Sequence, residues 1–230
     1  MFQTNPFLLI TLFVGLSLLP FVAMIATSYL KIVVVMSLIR NALGIQSIPP
    51  NMVINALAMI LTFFIMAPVV SESWAIAQEE LAPKQAAAAA PAAGISPESV
   101  LETDALVKAA EPFRAFLSKH TSDRERAFFV HTAERLWGNS PDEPATVDEE
   151  SFYILIPSFC VSELTKAFQI GFLVYLPFIA IDIIVSNILL AMGMMMVSPV
   201  TISLPFKLLL FVMVNGWTLL IQGLVRGYLI

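Results

Sequence analysis

Residues 157–211 read PSFCVSELTKAFQIGFLVYLPFIAIDIIVSNILLAMGMMMVSPVTISLPFKLLLF, and this stretch decides the fold. Between Lys166 and Lys207 its one charge is Asp182, which leaves uncharged apolar runs over 167–181 and 183–206. About 20 apolar residues in a helix cross the hydrocarbon core of a bilayer, so membrane-grade helices are expected here. The centre of the stretch is Met192-Gly193-Met194-Met195-Met196, followed by Val197-Ser198-Pro199. Consecutive residues of a helix point in different directions, so these methionines cannot share one face, and Ser198-Pro199 predicts a loop at the helix end. Methionine is unbranched and deformable, which suits a seal that closes tightly yet yields to varied passing chains. Ordinary core filling is the competing reading of the same residues.

Outward from this stretch the composition is of one kind. The 230 residues are 58% hydrophobic and 13% charged, which excludes an ordinary water-soluble globule. Twelve Lys and Arg against 17 Asp and Glu give a net charge of −5, so no cationic surface is offered to nucleic acid. The single Cys160 excludes an intrachain disulfide. Charge then divides the chain into three domains. Residues 1–70, an N-terminal hydrophobic helical hairpin, hold only Lys31 and Arg40. Residues 71–150 carry fifteen acids and seven bases, a net −8, and form an acidic α-helical middle domain with an Ala/Pro-rich insertion. Residues 151–230 form a C-terminal hydrophobic hairpin containing the methionine-rich loop. Lys31 and Arg40 are expected in the loop that joins the first hairpin, which the positive-inside rule assigns to the cytoplasm, leaving the middle domain in the periplasm of a bacterial cell. The N-terminus has neither a basic n-region nor a clear A-x-A site, so it is expected to be retained and not cleaved.

Eight prolines lie in or beside the apolar blocks: Pro20, Pro49, Pro50, Pro68, Pro157, Pro177, Pro199 and Pro205. Each removes a backbone donor and is expected to bend or end a helix. Bent helices are tolerated at membrane depth where neighbouring protein or a water-lined cavity satisfies the freed carbonyls, which favours an oligomeric assembly. Asn55, Asn187, Asn215 and Gln222 each need a hydrogen-bonding partner, either as glue between helices of the chain or beyond it. Asp182 is costly in lipid and calls for Lys166, Lys207 or a base on another subunit; a structural ion pair and a proton relay are both open to it. Glu163 and Lys166, three apart, can pair along one helix face.

In the middle domain, residues 81–97 are low in complexity and read as a linker or insertion. Ser96-Pro97-Glu98 signals a helix start, with an end or kink before Pro112. A capping box, Ser122-Asp123-Arg124-Glu125, opens a second helix with an apolar stripe of Phe128, Phe129, Ala133, Leu136 and Trp137, closed by Gly138. His120 and His131 are eleven apart without a ligand cluster. No glycine-rich phosphate loop, G-x-S-x-G or H-E-x-x-H occurs, so no catalytic residue, metal or cofactor is expected.

The chain resembles the FliP/SctR family of type III secretion export-gate proteins, shared by flagellar and virulence (injectisome) systems. The matching motifs are Ser162-Glu163-Leu164, Leu176-Pro177-Phe178 with Ile181-Asp182, residues 186–196, and Ile202-Ser203-Leu204-Pro205-Phe206-Lys207. In the N-terminal block they are Ala26-Thr27-Ser28-Tyr29 with Lys31, residues 38–44, Gln46, and Ile48-Pro49-Pro50-Asn51. Asn215 stands where relatives often have an acidic residue. The resemblance implies an all-α, membrane-associated protein of helical hairpins with Pro-kinked helices, oligomerising as a pentamer into a helical, cone-like pore with FliQ/SctS-type and FliR/SctT-type partners. Unfolded secreted substrates would cross the bacterial inner membrane through it. A methionine gasket would map to Met194, Met195 and Met196, supported by Met192 and Gly193, while Asp182, Glu163, Lys166 and Lys207 would serve ion pairing and assembly. A signal sequence is common in flagellar relatives, so its expected absence leans to the virulence branch. The alternative is a proton- or small-solute-coupled transporter using Asp182.

Overall fold

The computed structural model describes residues 6–45, 48–88, 107–137 and 147–229. The chain is all-α, with no strand among the described residues. In order, the helices are α1 (Pro6–Ile25), α2 (Tyr29–Ala42), α3 (Asn51–Ala88), α4 (Glu111–His120), α5 (Asp123–Trp137), α6 (Phe152–Ala191), α7 (Pro199–Met213) and α8 (Gly216–Arg226). They form two compact units, one of Met1–Ile65 with Glu163–Ile230 and the other of Met66–Ser162.

The first unit is built around α2. Its Ile32, Val35, Met36 and Ile39 fall at the i, i+3, i+4, i+7 spacing of one helix face, and all four are fully buried. Against that stripe pack Ile54 and Ala58 of α3, Ala167 and Phe178 of α6, Phe211 of α7, and Leu220 and Leu224 of α8. The approach of α6 depends on Gly171, where a Cβ would overlap the Leu38 side chain. Lys31 and Arg40, expected in a connecting loop, both lie inside α2. Helix periodicity overrides the charge cue: Lys31 sits on the same stripe as Ile32 and Val35 and is buried with them. The connection is instead residues 43–50, where Arg40 reaches across to donate to the Asn51 side chain and, at 3.4 Å, to the Pro49 carbonyl.

Pro49 and Pro50 lie in the break before α3 and Pro199 begins α7, but the other five prolines do not end their helices. Pro20 lies inside α1, Pro68 inside α3, Pro157 and Pro177 inside α6, and Pro205 inside α7. The bends of 56° and 59° fall between α1 and α2 and between α7 and α8. At the first, Thr27 Oγ1 donates to the Ala23 carbonyl at 2.6 Å and accepts the Tyr29 amide at 3.4 Å. At the second, Asn215 takes the left-handed conformation at φ 51°, ψ 47°, which asparagine tolerates better than most residues. The two sharpest bends are therefore made by side-chain competition and a left-handed residue and not by proline.

Among the described residues, two helices are long and apolar enough to cross a membrane, over Asn51–Glu80 and Phe152–Ala191, and up to four spans result if each bent pair counts as one. Only 17% of the most apolar window in either long helix is buried within the chain, so most of that surface must meet lipid or other protein. The 40 residues of α6 extend about 60 Å, roughly twice a hydrocarbon core. Asn55, Asn187, Asn215 and Gln222 are all exposed, so the amides do not glue helices together inside the chain.

The second unit centres on Phe116, Leu117, Ile154, Leu155 and Phe159. Pro112 stands in the first turn of α4, where its missing donor costs nothing. The helix α5 forms where the Ser122 signal places it, and the Ser122 amide donates to Ser162 Oγ at 2.9 Å. Its expected apolar stripe is largely unburied: Ala133 is covered, while Phe128, Leu136 and Trp137 are exposed. His120 is buried against Phe116, and His131 is exposed beside Glu134. The low-complexity stretch begins as the last turns of α3 up to Ala88, and the helix start at Ser96 and the stop at Gly138 lie outside the described residues.

Candidate functional site

Three features of the first unit hold the residues singled out from the sequence: the methionine loop and two ionic clusters on α6.

The loop begins where α6 stops. The Gly193 amide donates to the Leu190 carbonyl at 3.0 Å and the Met194 amide to the Leu189 carbonyl at 2.9 Å. These are the two bonds of a Schellman cap, which requires a left-handed residue at the position of Gly193, and its φ is +72°. Glycine is thus the stop signal of α6 and the turn that throws the following methionines outward. Ser198 and Pro199 then start α7. Met195 is 82% exposed and Met196 fully so, with Met192 and Met194 less extreme, which overturns core filling as their role within the chain.

The first ionic cluster surrounds Glu163. Its carboxylate is completely buried and meets Lys31 of α2 at 2.9 Å and Lys166, one turn along α6, at 3.1 Å. The Tyr228 hydroxyl, just past α8, donates to the same carboxylate, and the Lys31 ammonium lies 3.6 Å from the Tyr228 ring centroid. Burial pushes the Tyr228 phenol above its ordinary range, and the neighbouring carboxylate pushes it the same way, so the phenol stays a neutral donor. The pairing of Glu163 with Lys166 follows from their spacing. Lys31 and Tyr228 were not found by spacing, although a buried tyrosine needs a partner for its hydroxyl and Lys31 occupies the buried stripe of α2.

The second cluster joins three helices around Asp182. Lys207 of α7 approaches Asp182 Oδ2 at 2.6 Å, and Ser203, one turn earlier on α7, donates to Oδ1 at 2.6 Å. The Lys207 ammonium also donates to the carbonyl of Ala42 at 3.3 Å, one of the carbonyls left without a helical partner at the end of α2. Of the partners considered for Asp182, the structure brings in Lys207 and commits Lys166 to Glu163. Lys207 and Ser203 are buried, whereas the Asp182 side chain is 35% exposed.

Among the described residues no three His, Cys, Asp or Glu side chains group to hold a metal ion. The arrangement offers an exposed methionine loop anchored by a hydrogen-bonded cap, and two electrostatic clamps that tie α2, α6, α7 and the end of α8 together.

A family model described as "FliP family" matches residues 12–224. The chain is 49% identical over 217 residues to the "Yop proteins translocation protein R" of Yersinia pestis, covering 93% of this chain and 92% of the relative. It is 46% identical over 220 residues to the "Hypersensitivity response secretion protein HrcR" of Ralstonia nicotianae, covering 96% of each. It is 40% identical over 221 residues to the "Flagellar biosynthetic protein FliP" of Bacillus subtilis, covering 96% of this chain and 90% of the relative.

Proposed function

Because the chain belongs to the FliP family, we propose that it is a core, non-enzymatic subunit of a bacterial type III secretion export gate, forming the protein-conducting pore for unfolded substrates across the inner membrane. The observation that carries this reading is the loop at Met194, Met195 and Met196. Exposed methionines on a capped turn are deformable but fixed at their base, which is what a gasket around a variable polypeptide needs. Met192 and Gly193 support the loop from the helix end.

Function in this reading requires copies of the chain. The pore is a pentamer that also takes FliQ/SctS-type and FliR/SctT-type subunits, and the unburied apolar surface of α3 and α6 and the four exposed amides supply contacts for them. The helices form a cone in which α6, too long for one lipid crossing, continues beyond the hydrocarbon core. The acidic residues 71–150 face the periplasm. Identities of 49% and 46% to relatives named for Yop protein translocation and hypersensitivity-response secretion support the virulence branch. The Asp182–Lys207 pair supports an ion clamp over the proton-coupled transporter.

The test is to replace Met194, Met195 and Met196 together by glycine in cells carrying the complete gate and to measure entry of a small dye. The gasket reading expects a leak with the assembled complex at normal abundance. A gate as tight as the wild type, with the same abundance, overturns it.

A further inference from the structure

The methionine loop leaves the body of the first unit by two arms, and they are held in different ways. The arm on the α6 side is closed by backbone, with the Gly193 and Met194 amides bonded back into the last turn of α6 at 3.0 and 2.9 Å. On the α7 side Ser198 is extended, at φ −69° and ψ 118°, and its side chain makes no capping bond to the helix it precedes. Where that arm stands is therefore decided by what the first turns of α7 rest on.

They rest on the end of α2. Leu43 and Gly44 close that helix, their amides donating to the Ile39 and Asn41 carbonyls at 3.0 and 3.1 Å, and Gly44 is left-handed at φ +78°. The position that a Cβ of residue 44 would take is 4.0 Å from Val200 Cγ1, so the turn and the start of α7 face each other across a space that one methyl group would fill. Seven residues on, Lys207 donates to the Ala42 carbonyl and ties the next turns of α7 to the same end of α2. Val200 stands between that tie and the methionines, four residues past Met196. Arg40, in the last turn of α2, bonds across to Pro49 and Asn51, which joins the seat to the start of α3 as well.

We propose that Gly44 and Val200 are positioning residues of the methionine loop: the turn that ends α2 seats the first turn of α7, and that seat sets where Met195 and Met196 stand. Neither residue belongs to the gasket, and each acts through the arm it holds. The inference rests on the gasket reading and adds that closure of the loop depends on a turn some 150 residues upstream. Two left-handed glycines then frame the loop, Gly193 by turning the chain out of α6 and Gly44 by leaving room for Val200. The space admits a Cβ, but a longer side chain presses on Val200.

The test uses the complete gate in cells, with entry of a small dye and gate abundance as readouts. Gly44→Asn keeps a residue that tolerates the left-handed conformation but crowds Val200, and dye entry is expected to rise at least about fivefold at normal gate abundance. Val200→Ala leaves the arm unseated and is expected to leak as well. The two together give the space back and should return dye entry to within about twofold of the wild type, a rescue that a merely structural role would not produce. A double variant that leaks as much as either single one overturns the proposal. Tight single variants beside a leaky glycine replacement of Met194, Met195 and Met196 overturn the seat and leave the gasket standing; a tight methionine variant takes both down. If Gly44→Asn does not assemble, Gly44→Cys with Val200→Cys, in a chain carrying Cys160→Ser, decides the matter. The pair is expected to cross-link under a mild oxidant in the assembled gate with dye entry as low as in the wild type, and no cross-link overturns the proposal.

Discussion

The clusters at Glu163 and Asp182 hang on the same helix nineteen residues apart, about 28 Å along the axis, yet they handle charge in opposite ways. Glu163 is sealed from solvent and held by two ammonium groups and a phenol. Asp182 keeps a third of its side chain exposed and is held by one ammonium and one hydroxyl. The difference shows how much compensation a buried charge demands: a carboxylate without water needs its lone pairs filled by the protein, whereas a partly wet one needs less. It also separates two tasks. The Glu163 cluster ties the end of the chain to α2 and α6, and the Asp182 cluster ties α7 to α6 and to the end of α2.

Breaking the sealed cluster is expected to cost most. Glu163→Ala leaves Lys31 buried without its counter-charge and should destabilise the protein by about 3–5 kcal/mol, read as a fall in the thermal midpoint in detergent. Replacing both partners, Lys31→Met with Glu163→Leu, should recover much of that loss, since an apolar pair of similar size avoids the desolvation of two ions. If the double variant is as unstable as the single one, the pair itself is not what Glu163 supplies. Tyr228→Phe removes one hydrogen bond to the buried carboxylate and is expected to cost about 1.5–3 kcal/mol by the same measurement. No change there would mean that the C-terminal turn does not anchor on Glu163.

At the wetter cluster the effect should be smaller. Asp182→Asn keeps one oxygen, which can face Lys207, and turns its NH2 towards the Ser203 hydroxyl, which can accept it; the charge is lost, so about 1 kcal/mol is expected, together with weaker assembly of the gate. An equal or larger loss than at Glu163 would erase the contrast between the clusters. Loss of proton coupling with assembly intact would favour the transporter instead.

The sequence alone carried the class of the protein. A chain with 58% hydrophobic residues and uncharged runs longer than a bilayer crossing reads as a helical, membrane-associated protein, because backbone groups in lipid must bond within their own segment. The helix α5, the loop ahead of Pro199 and the pairing of Glu163 with Lys166 were equally legible, since capping residues, proline and i, i+3 spacing act locally. Expectations failed where a residue's role depends on distant chain. Lys31 looked like a loop cation and is a buried counter-ion for a residue 132 positions away. The prolines looked like hinges, but the sharp bends belong to Thr27–Ser28 and Asn215, where side-chain bonding and a left-handed residue break the helix. Hydrophobic pattern and local signals fix which segments are helices. Which charges become neighbours, and which turn comes to rest on which helix, is decided only when the helices pack, because burial is a property of the assembled fold and not of any one segment.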